Sequence, residues 1–223
     1  MQRDIVSGIC LIGGSLASML VMVFHPTGAD VVTHANFARQ AVLNIGVHSV
    51  AITAVPVLFL GLLGVSLRLG PSDLTNAALV AYGFGGAAVM CAAVASGFVA
   101  TSVIEQILTV ETARDTYQAL LKYTGMWNQG FATVYVVASS VAILLWSAAI
   151  MKSAAMARAA GVAGIALGGG ILLAFFGGLL RLDAHGFGIL TFAQCGWFIW
   201  LGYLQCRGRE AATLTTASGI HVP

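Results

Sequence analysis

Charged residues are scarce in this chain of 223 residues: they make up 8 %, whereas hydrophobic residues make up 59 %. Soluble domains contain about 25 % charged residues on average, so this chain has too few charges to cover the surface of a water-soluble globule. The net charge is only +2 and there is no basic run, so we do not expect nucleic acid as a partner. The composition predicts a protein whose solvent is largely lipid.

Familiar catalytic and metal-binding motifs are also missing. The sequence contains no H-x-x-x-H, H-E-x-x-H, G-x-S-x-G or G-K-[ST] pattern, which removes the signatures of zinc peptidases, serine-nucleophile elbows and P-loops. Its four cysteines form no C-x-x-C pair. They lie within or at the ends of apolar stretches, which is typical of small buried hydrophobic residues and gives no support for a zinc site or disulfide framework.

Long apolar stretches are what the sequence does contain. A helix needs about 20 apolar residues to cross about 30 Å of hydrocarbon, and six stretches qualify, at residues 5–24, 41–67, 77–103, 130–151, 159–180 and 187–204. We therefore predict an all-α polytopic membrane bundle of six transmembrane helices, arranged as three helical hairpins. These form one transmembrane domain over residues 1–206, and residues 207–223 form a polar cytoplasmic tail.

The distribution of lysine and arginine predicts the orientation of the bundle. If the N-terminus is cytoplasmic, the inner segments carry Arg3, Arg68, Lys152, Arg158, Arg207 and Arg209. The outer segments then carry Arg39, Arg114, Lys122 and Arg181. This bias predicts that both termini are cytoplasmic (N-in/C-in) in a multi-pass protein of the cell membrane, with the bacterial inner membrane as the expected location.

The third connection, residues 102–124, has helical character. Val103, Ile107, Val110, Tyr117 and Leu121 recur at helical spacing. The pattern predicts either that the third and fourth transmembrane helices extend beyond the membrane or that an interfacial helix lies between them, with Gly125 separating the connection from the fourth helix.

The fifth helix is rich in glycine. Gly164 and Gly168 form a G-x-x-x-G step, which lets two helix backbones approach closely in lipid. This predicts a central position for the fifth helix in the bundle. The alternative is a homo-oligomer, or a partner in a membrane complex, that packs on this helix.

Polar side chains on the second helix give the strongest site signal. Gln40, Asn44 and His48 are spaced i, i+4 and i+8, so they share one helix face. Polar groups are costly in lipid, so this face should contact protein or water. The null hypothesis is that His48 only makes a hydrogen bond to another helix.

Other histidines and aspartates map to the same outer half. The candidate metal ligands are His25, Asp30, His34, His48, Asp183 and His185, and the candidate cofactor-binding set is His48 and Asn44 as the floor of a pocket, with His34 and His185 at its rim. Imidazole and carboxylate suit a divalent metal ion, and facing imidazoles suit haem iron. His34 and His48 are about 21 Å apart along a continuous helix, so His48 needs a partner from another helix.

Three functions remain open at this point. The first is a binding or sensing protein, or a complex subunit, with an outer polar pocket for a metal ion or haem. The second is a small-solute transporter or channel, which predicts a continuous polar route into the inner half. The third is a membrane-embedded hydrolase or oxidoreductase acting on a lipid-soluble substrate, which predicts two titratable groups within hydrogen-bond reach.

Overall fold

The computed structural model describes residues 2–26 and 35–207, and every described secondary-structure element is helical. The helices are α1 (Gln2–Phe24), α2 (Phe37–Leu69), α3 (Asp73–Val94), α4 (Ala100–Thr109), α5 (Arg114–Lys152), α6 (Arg158–Phe176) and α7 (Ala184–Cys206). A π-helical segment, Ala95–Val99, joins α3 to α4, and a short 3-10 turn, Glu111–Ala113, precedes α5. Six of the resulting spans are long and apolar enough to cross a bilayer, which confirms the predicted all-α six-helix bundle.

The spans pack in a closed ring. Each one contacts its neighbours in the sequence, and α7 returns to pack against α1, while the contact between α6 and α7 is the least extensive in the ring. The centre is filled by large side chains that are almost fully buried, including Leu62, Tyr82, Trp146 and Phe198. We call the end where α1 finishes and α7 begins the outer end, following the charge-based prediction, and the opposite end the inner end.

Local signals in the sequence set several helix ends. α2 ends at Leu69, and Gly70 follows with φ of 91°, a conformation that suits glycine. Ser72 caps α3 in a reciprocal capping box with Thr75, as its position before the helix predicts. The prediction for Gly125 was wrong, because α5 continues through this residue without a break.

The third connection consists of extended transmembrane helices, as the first of the two alternatives predicted. The continuous helical stretch Asp73–Thr109 has 37 residues and the next, Glu111–Lys152, has 42. At 1.5 Å per residue each is longer than about 55 Å, against about 30 Å of hydrocarbon. The hairpin formed by α4 and the start of α5 therefore extends beyond the bilayer at the outer end.

At the inner end, glycines bring helices close together. A methyl group at Gly61 would lie 2.9 Å from the backbone nitrogen of Leu11, and one at Gly64 would collide with the side chain of Ser7. One at Gly8 would lie 2.7 Å from the carbonyl oxygen of Gly202 on α7. Dispersion contacts at such close approaches stabilise helix pairs in lipid.

The glycine-rich helix α6 is not central, contrary to the prediction. It is the least buried of the six spans, because it packs extensively on α5 and only slightly on α7. Gly164 meets Ser147 of α5 and Trp197 of α7, and Gly168 lies against α5 at Ser140 and Leu144. The G-x-x-x-G step thus serves packing within the chain, and an oligomer or complex partner stays a prediction.

Candidate functional site

A pocket of about 160 Å³ opens at the outer end, between the ends of α1 and α7 and the outer parts of α2, α3 and α5. Its polar lining consists of His25, His48, Ser96, Asn128, Gln129 and Asp183. The remaining walls are apolar side chains such as Val21, Val89 and Phe187. A small number of convergent polar groups in an otherwise apolar concavity is the usual composition of a ligand site.

His48 is held in this pocket by its own helix. The side chain is 4 % exposed, and its Nδ1 lies 2.7 Å from the carbonyl oxygen of Asn44, one turn earlier on α2. A carbonyl oxygen only accepts hydrogen bonds, so Nδ1 carries the hydrogen. The neutral ring consequently has its free lone pair on Nε2.

His25 follows the last residue of α1 and is oriented in the same way. Its Nδ1 lies 3.0 Å from the carbonyl oxygen of Pro26, so Nδ1 again donates and Nε2 carries the lone pair. Burial lowers the pKa of His25 from its ordinary value, and the hydrogen bond to Pro26 offsets part of this effect. The net lowering of the pKa favours the neutral imidazole.

The two imidazoles are close neighbours. The ring centroids of His25 and His48 are 5.0 Å apart, and the ring planes meet at 64°. Both rings line the same pocket.

Asn44 stands behind His48 and fastens α2 to the π-helical segment. Its amide nitrogen donates to the carbonyl oxygen of Ser96 at 3.1 Å and to the hydroxyl of Thr101 at 2.9 Å. That hydroxyl in turn donates to the carbonyl oxygen of Gly97 at 2.6 Å. A π-helical turn displaces carbonyl groups from the regular i→i−4 pattern, which leaves them available to a side chain from a neighbouring helix.

Gly97 provides the space that the His48 ring occupies. A Cβ atom at Gly97 would collide with Cβ of His48 and would lie 3.0 Å from its Nδ1. The imidazole therefore rests directly on the backbone of the π-helical segment. Sequence reasoning missed this role of Gly97, and the only available signal was a Ser-Gly pair inside an apolar helix.

Two further polar side chains connect the site to α5. The amide of Gln129 donates to the carbonyl oxygen of Leu182 at 2.9 Å, which ties α5 to the segment before α7. Asp183 caps α7 by accepting from the backbone nitrogen of Gly186 at 2.8 Å. Half-buried Asn128 also lines the pocket.

The structure brings together part of the predicted set. His25, His48 and Asp183 line one pocket and Asn44 supports it, whereas His185 is exposed and does not line it. Asp30 and His34 lie outside the described residues. Among the described residues, no group of three histidine, cysteine, aspartate or glutamate side chains is close enough to hold a metal ion.

The pocket ends within the bundle. A smaller cavity of about 70 Å³ lies beneath it and shares Val21, Ala51 and Phe187 as lining residues. Its floor includes Tyr82 and Phe198, which belong to the buried core together with Trp146. The packed aromatic side chains separate the cavity from the inner end.

No family model, curated protein or solved structure matches this chain. The geometry of the pocket therefore carries the functional argument.

Proposed function

We propose that this multi-pass membrane protein reversibly binds a divalent metal ion of the Zn²⁺ class at its outer pocket, through Nε2 of His25 and Nε2 of His48. Six apolar spans place the chain in a lipid bilayer. The single observation that carries the proposal is the pair of adjacent imidazoles, each with Nδ1 bonded to a backbone carbonyl oxygen. A hydrogen bond at the other ring nitrogen is how metal-ligating histidines are usually oriented.

The spacing of the rings suits one tetrahedral ion. Zinc binds imidazole nitrogen at about 2.0–2.1 Å, which places the centroids of two rings on a tetrahedral ion about 5 Å apart. The observed separation is 5.0 Å. Two rings on opposite faces of a haem iron would lie about 6 Å apart with a porphyrin between them, so this pair favours a metal ion over haem.

Two protein ligands support exchange better than permanent storage. A structural zinc site fills all four positions with protein groups, whereas the described residues offer two imidazoles here. Water or a small ligand would fill the other positions, and Asp183 and Asn128 line the same pocket and offer hydrogen bonds to such groups. This arrangement favours a binding or sensing protein, or the binding subunit of a complex.

The location follows from charge and pocket position. Lysine and arginine favour an N-in/C-in protein with a cytoplasmic tail, which supports an outward-facing pocket in a cell membrane such as the bacterial inner membrane. A channel is less well supported, because Tyr82, Trp146 and Phe198 fill the bundle beneath the pocket. A hydrolase or oxidoreductase would use the same imidazole pair, but exposed Glu105 and His185 do not line the pocket.

Zinc titration of the purified protein, prepared without a histidine tag, tests the proposal. We expect one Zn²⁺ per chain by calorimetry, and a Co²⁺-substituted sample should show the intense visible absorption of tetrahedral cobalt. His25→Ala and His48→Ala should each weaken zinc binding by about tenfold or more, because each removes one of two imidazole ligands.

His185→Ala is the matched control, since this exposed histidine lies at the same end of the bundle but outside the pocket. It should leave zinc affinity unchanged. Thermal melting of each metal-free variant separates loss of a ligand from loss of folding. The proposal fails if the folded wild-type protein does not bind Zn²⁺, or if folded His25→Ala and His48→Ala bind it as tightly as wild type.

A further inference from the structure

A large apolar groove lies on the outside of the bundle and shares no lining residue with the histidine pocket. It has a volume of about 740 Å³ and runs between α5 and the continuous helix formed by α3, the π-helical segment and α4. Ala87, Cys91 and Ala95 follow one another at i, i+4 and i+8 along its floor. These short side chains keep the groove open where the two helices would otherwise fill it.

Three aromatic rings form the opposite wall. Tyr123, Trp127 and Phe131 are spaced four residues apart on α5 and line the groove together. Ring centroids are 6.1 Å apart for Tyr123 and Trp127, and 5.4 Å apart for Trp127 and Phe131. Tyr123 and Trp127 are about half exposed, so this wall is available to a molecule outside the bundle.

We propose that this groove seats one acyl chain of a bilayer lipid, with the lipid headgroup near Tyr123 and Trp127. Because the apolar spans require a bilayer around the chain, lipid is the molecule that a sideways-open groove meets first. Tyrosine and tryptophan favour the headgroup level of a membrane. Phe131 and the α3 floor lie further along the spans, towards the bilayer centre.

The dimensions and polarity of the groove suit such a chain. The floor residues from Ala95 to Ala87 run along the spans away from the extended hairpin, and eight residue steps of helix extend about 12 Å. One leaflet of hydrocarbon is about 15 Å thick, half of the whole core. The Thr124 hydroxyl in the wall already donates to the carbonyl oxygen of Leu120 at 2.9 Å. Its hydrogen is therefore bonded within the helix, and an apolar chain can lie beside it.

Native mass spectrometry of the full chain tests for a retained lipid. The protein is reconstituted in vesicles of phosphatidylethanolamine and phosphatidylglycerol and then transferred to a mild detergent. We expect wild type to retain one phospholipid. Ala87→Phe places a ring in the groove from an exposed floor position and should lower the retained fraction by about tenfold, the loss expected when two methylene groups lose their burial.

Leu173→Phe is the matched control, because Leu173 is highly exposed on α6, away from the groove. It should retain lipid as wild type does. The proposal is overturned if wild type retains no lipid, or if the two variants lose it equally. It is also overturned if Ala87→Phe removes a second copy of the chain instead of a lipid.

Alkylation of Cys91 gives a second measurement that does not need a variant in the groove wall. Cys91 is an exposed free thiol in the groove, and it is the only cysteine left when Cys10, Cys195 and Cys206 are changed to alanine. Added phospholipid should slow its reaction with N-ethylmaleimide several-fold. Leu173→Cys, in a background that also carries Cys91→Ala, should show no comparable protection, and equal protection at both positions would contradict a specific site.

Discussion

The two ends of the bundle use glycine for opposite purposes. At the inner end, Gly61 and Gly64 let α2 lie directly against Leu11 and Ser7 of α1, and the missing side chains bring the helices together. At the outer end, Gly97 makes room for the ring of His48, and the missing side chain admits a functional group. The comparison shows that a glycine in a membrane helix indicates a group packed directly against the helix backbone. That group can be a neighbouring helix, as at Gly61 and Gly64, or a functional side chain, as at Gly97.

Polar groups differ between the ends in the same way. Towards the inner end, hydrogen bonds connect helices to each other, as when Trp146 donates to the Ser66 hydroxyl at 2.8 Å or Arg68 donates to the carbonyl oxygen of Leu204 at 2.7 Å. At the outer end, the backbone bonds of His25 and His48 use only Nδ1. Asn44 and Gln129 also join helices at the outer end, but the Nε2 atoms of His25 and His48 remain available to a ligand there.

Trp146→Ala should have the largest effect and should act on stability alone. Trp146 is fully buried and packs against Tyr82 with ring centroids 5.9 Å apart. Removing a buried tryptophan typically costs about 3–5 kcal/mol of unfolding free energy. Folded molecules should keep wild-type zinc affinity, because the pocket lies at the other end. Unfolding in mixed detergent, followed by zinc titration of the folded fraction, measures both quantities.

Trp200→Ala is the control for this substitution, because Trp200 is 36 % exposed and should cost much less. A large loss of zinc affinity in folded Trp146→Ala would show that packing around Trp146 affects the zinc pocket, and would contradict the expectation that this substitution acts on stability alone.

Gly97→Ala should have an intermediate effect that falls on both stability and binding. The added methyl group would collide with Cβ of His48, and overpacking of this kind typically costs about 1–3 kcal/mol. Displacement of His48 should also weaken zinc binding. Gly97→Ala at the outer end should therefore lower both stability and zinc affinity, whereas Trp146→Ala should lower stability alone. Unfolding free energy and zinc affinity are measured on the same preparation.

Gly46→Ala is the matched substitution, since a methyl group there meets nothing within 4 Å. It should be neutral or slightly stabilising, because alanine favours a helix over glycine by up to about 1 kcal/mol. If both variants behave alike, the close contact between Gly97 and His48 does not constrain the site.

Much of the fold followed from sequence because hydropathy and helix caps are local properties. The six spans needed only the length of apolar stretches, and the capping box at the start of α3 joins residues only three apart in the sequence. The i, i+4 spacing of Asn44 and His48 also predicted a shared face. The structure places His48 in the interior and bonds Asn44 to the π-helical segment.

The parts that sequence reasoning missed depend on other helices. The π-helical segment Ala95–Val99 was not predicted, because the side chains that bond its displaced carbonyl groups, Asn44 and Thr101, lie outside it. His185 lies only two residues after Asp183, but it is exposed and does not line the pocket. The glycine pattern of α6 indicated close packing but could not tell which side of the bundle the helix would occupy.

The smallest expected effect is the pH dependence of zinc binding, and it tests whether the outer end is as buried as its packing indicates. Burial lowers the pKa of His25 below its ordinary value of 6.5, so this ring should stay neutral and able to bind zinc as the pH falls through 6.5. An ordinary histidine would lose about half of its neutral form at pH 6.5. Loss of the His25 ligand should therefore begin only at lower pH.

The same shift predicts the sign of the stability change in the metal-free protein. The unfolded chain binds a proton at His25 as pH falls through 6.5, whereas the folded protein does so only at the lowered pKa. His25 therefore contributes a loss of stability that grows as pH falls between these two values. An NMR titration of the His25 ring, assigned with His25→Ala, measures the pKa directly. A titration midpoint of His25 at or above 6.5 would mean that water reaches the ring freely. The outer pocket would then not be sheltered from water, contrary to the packing described above.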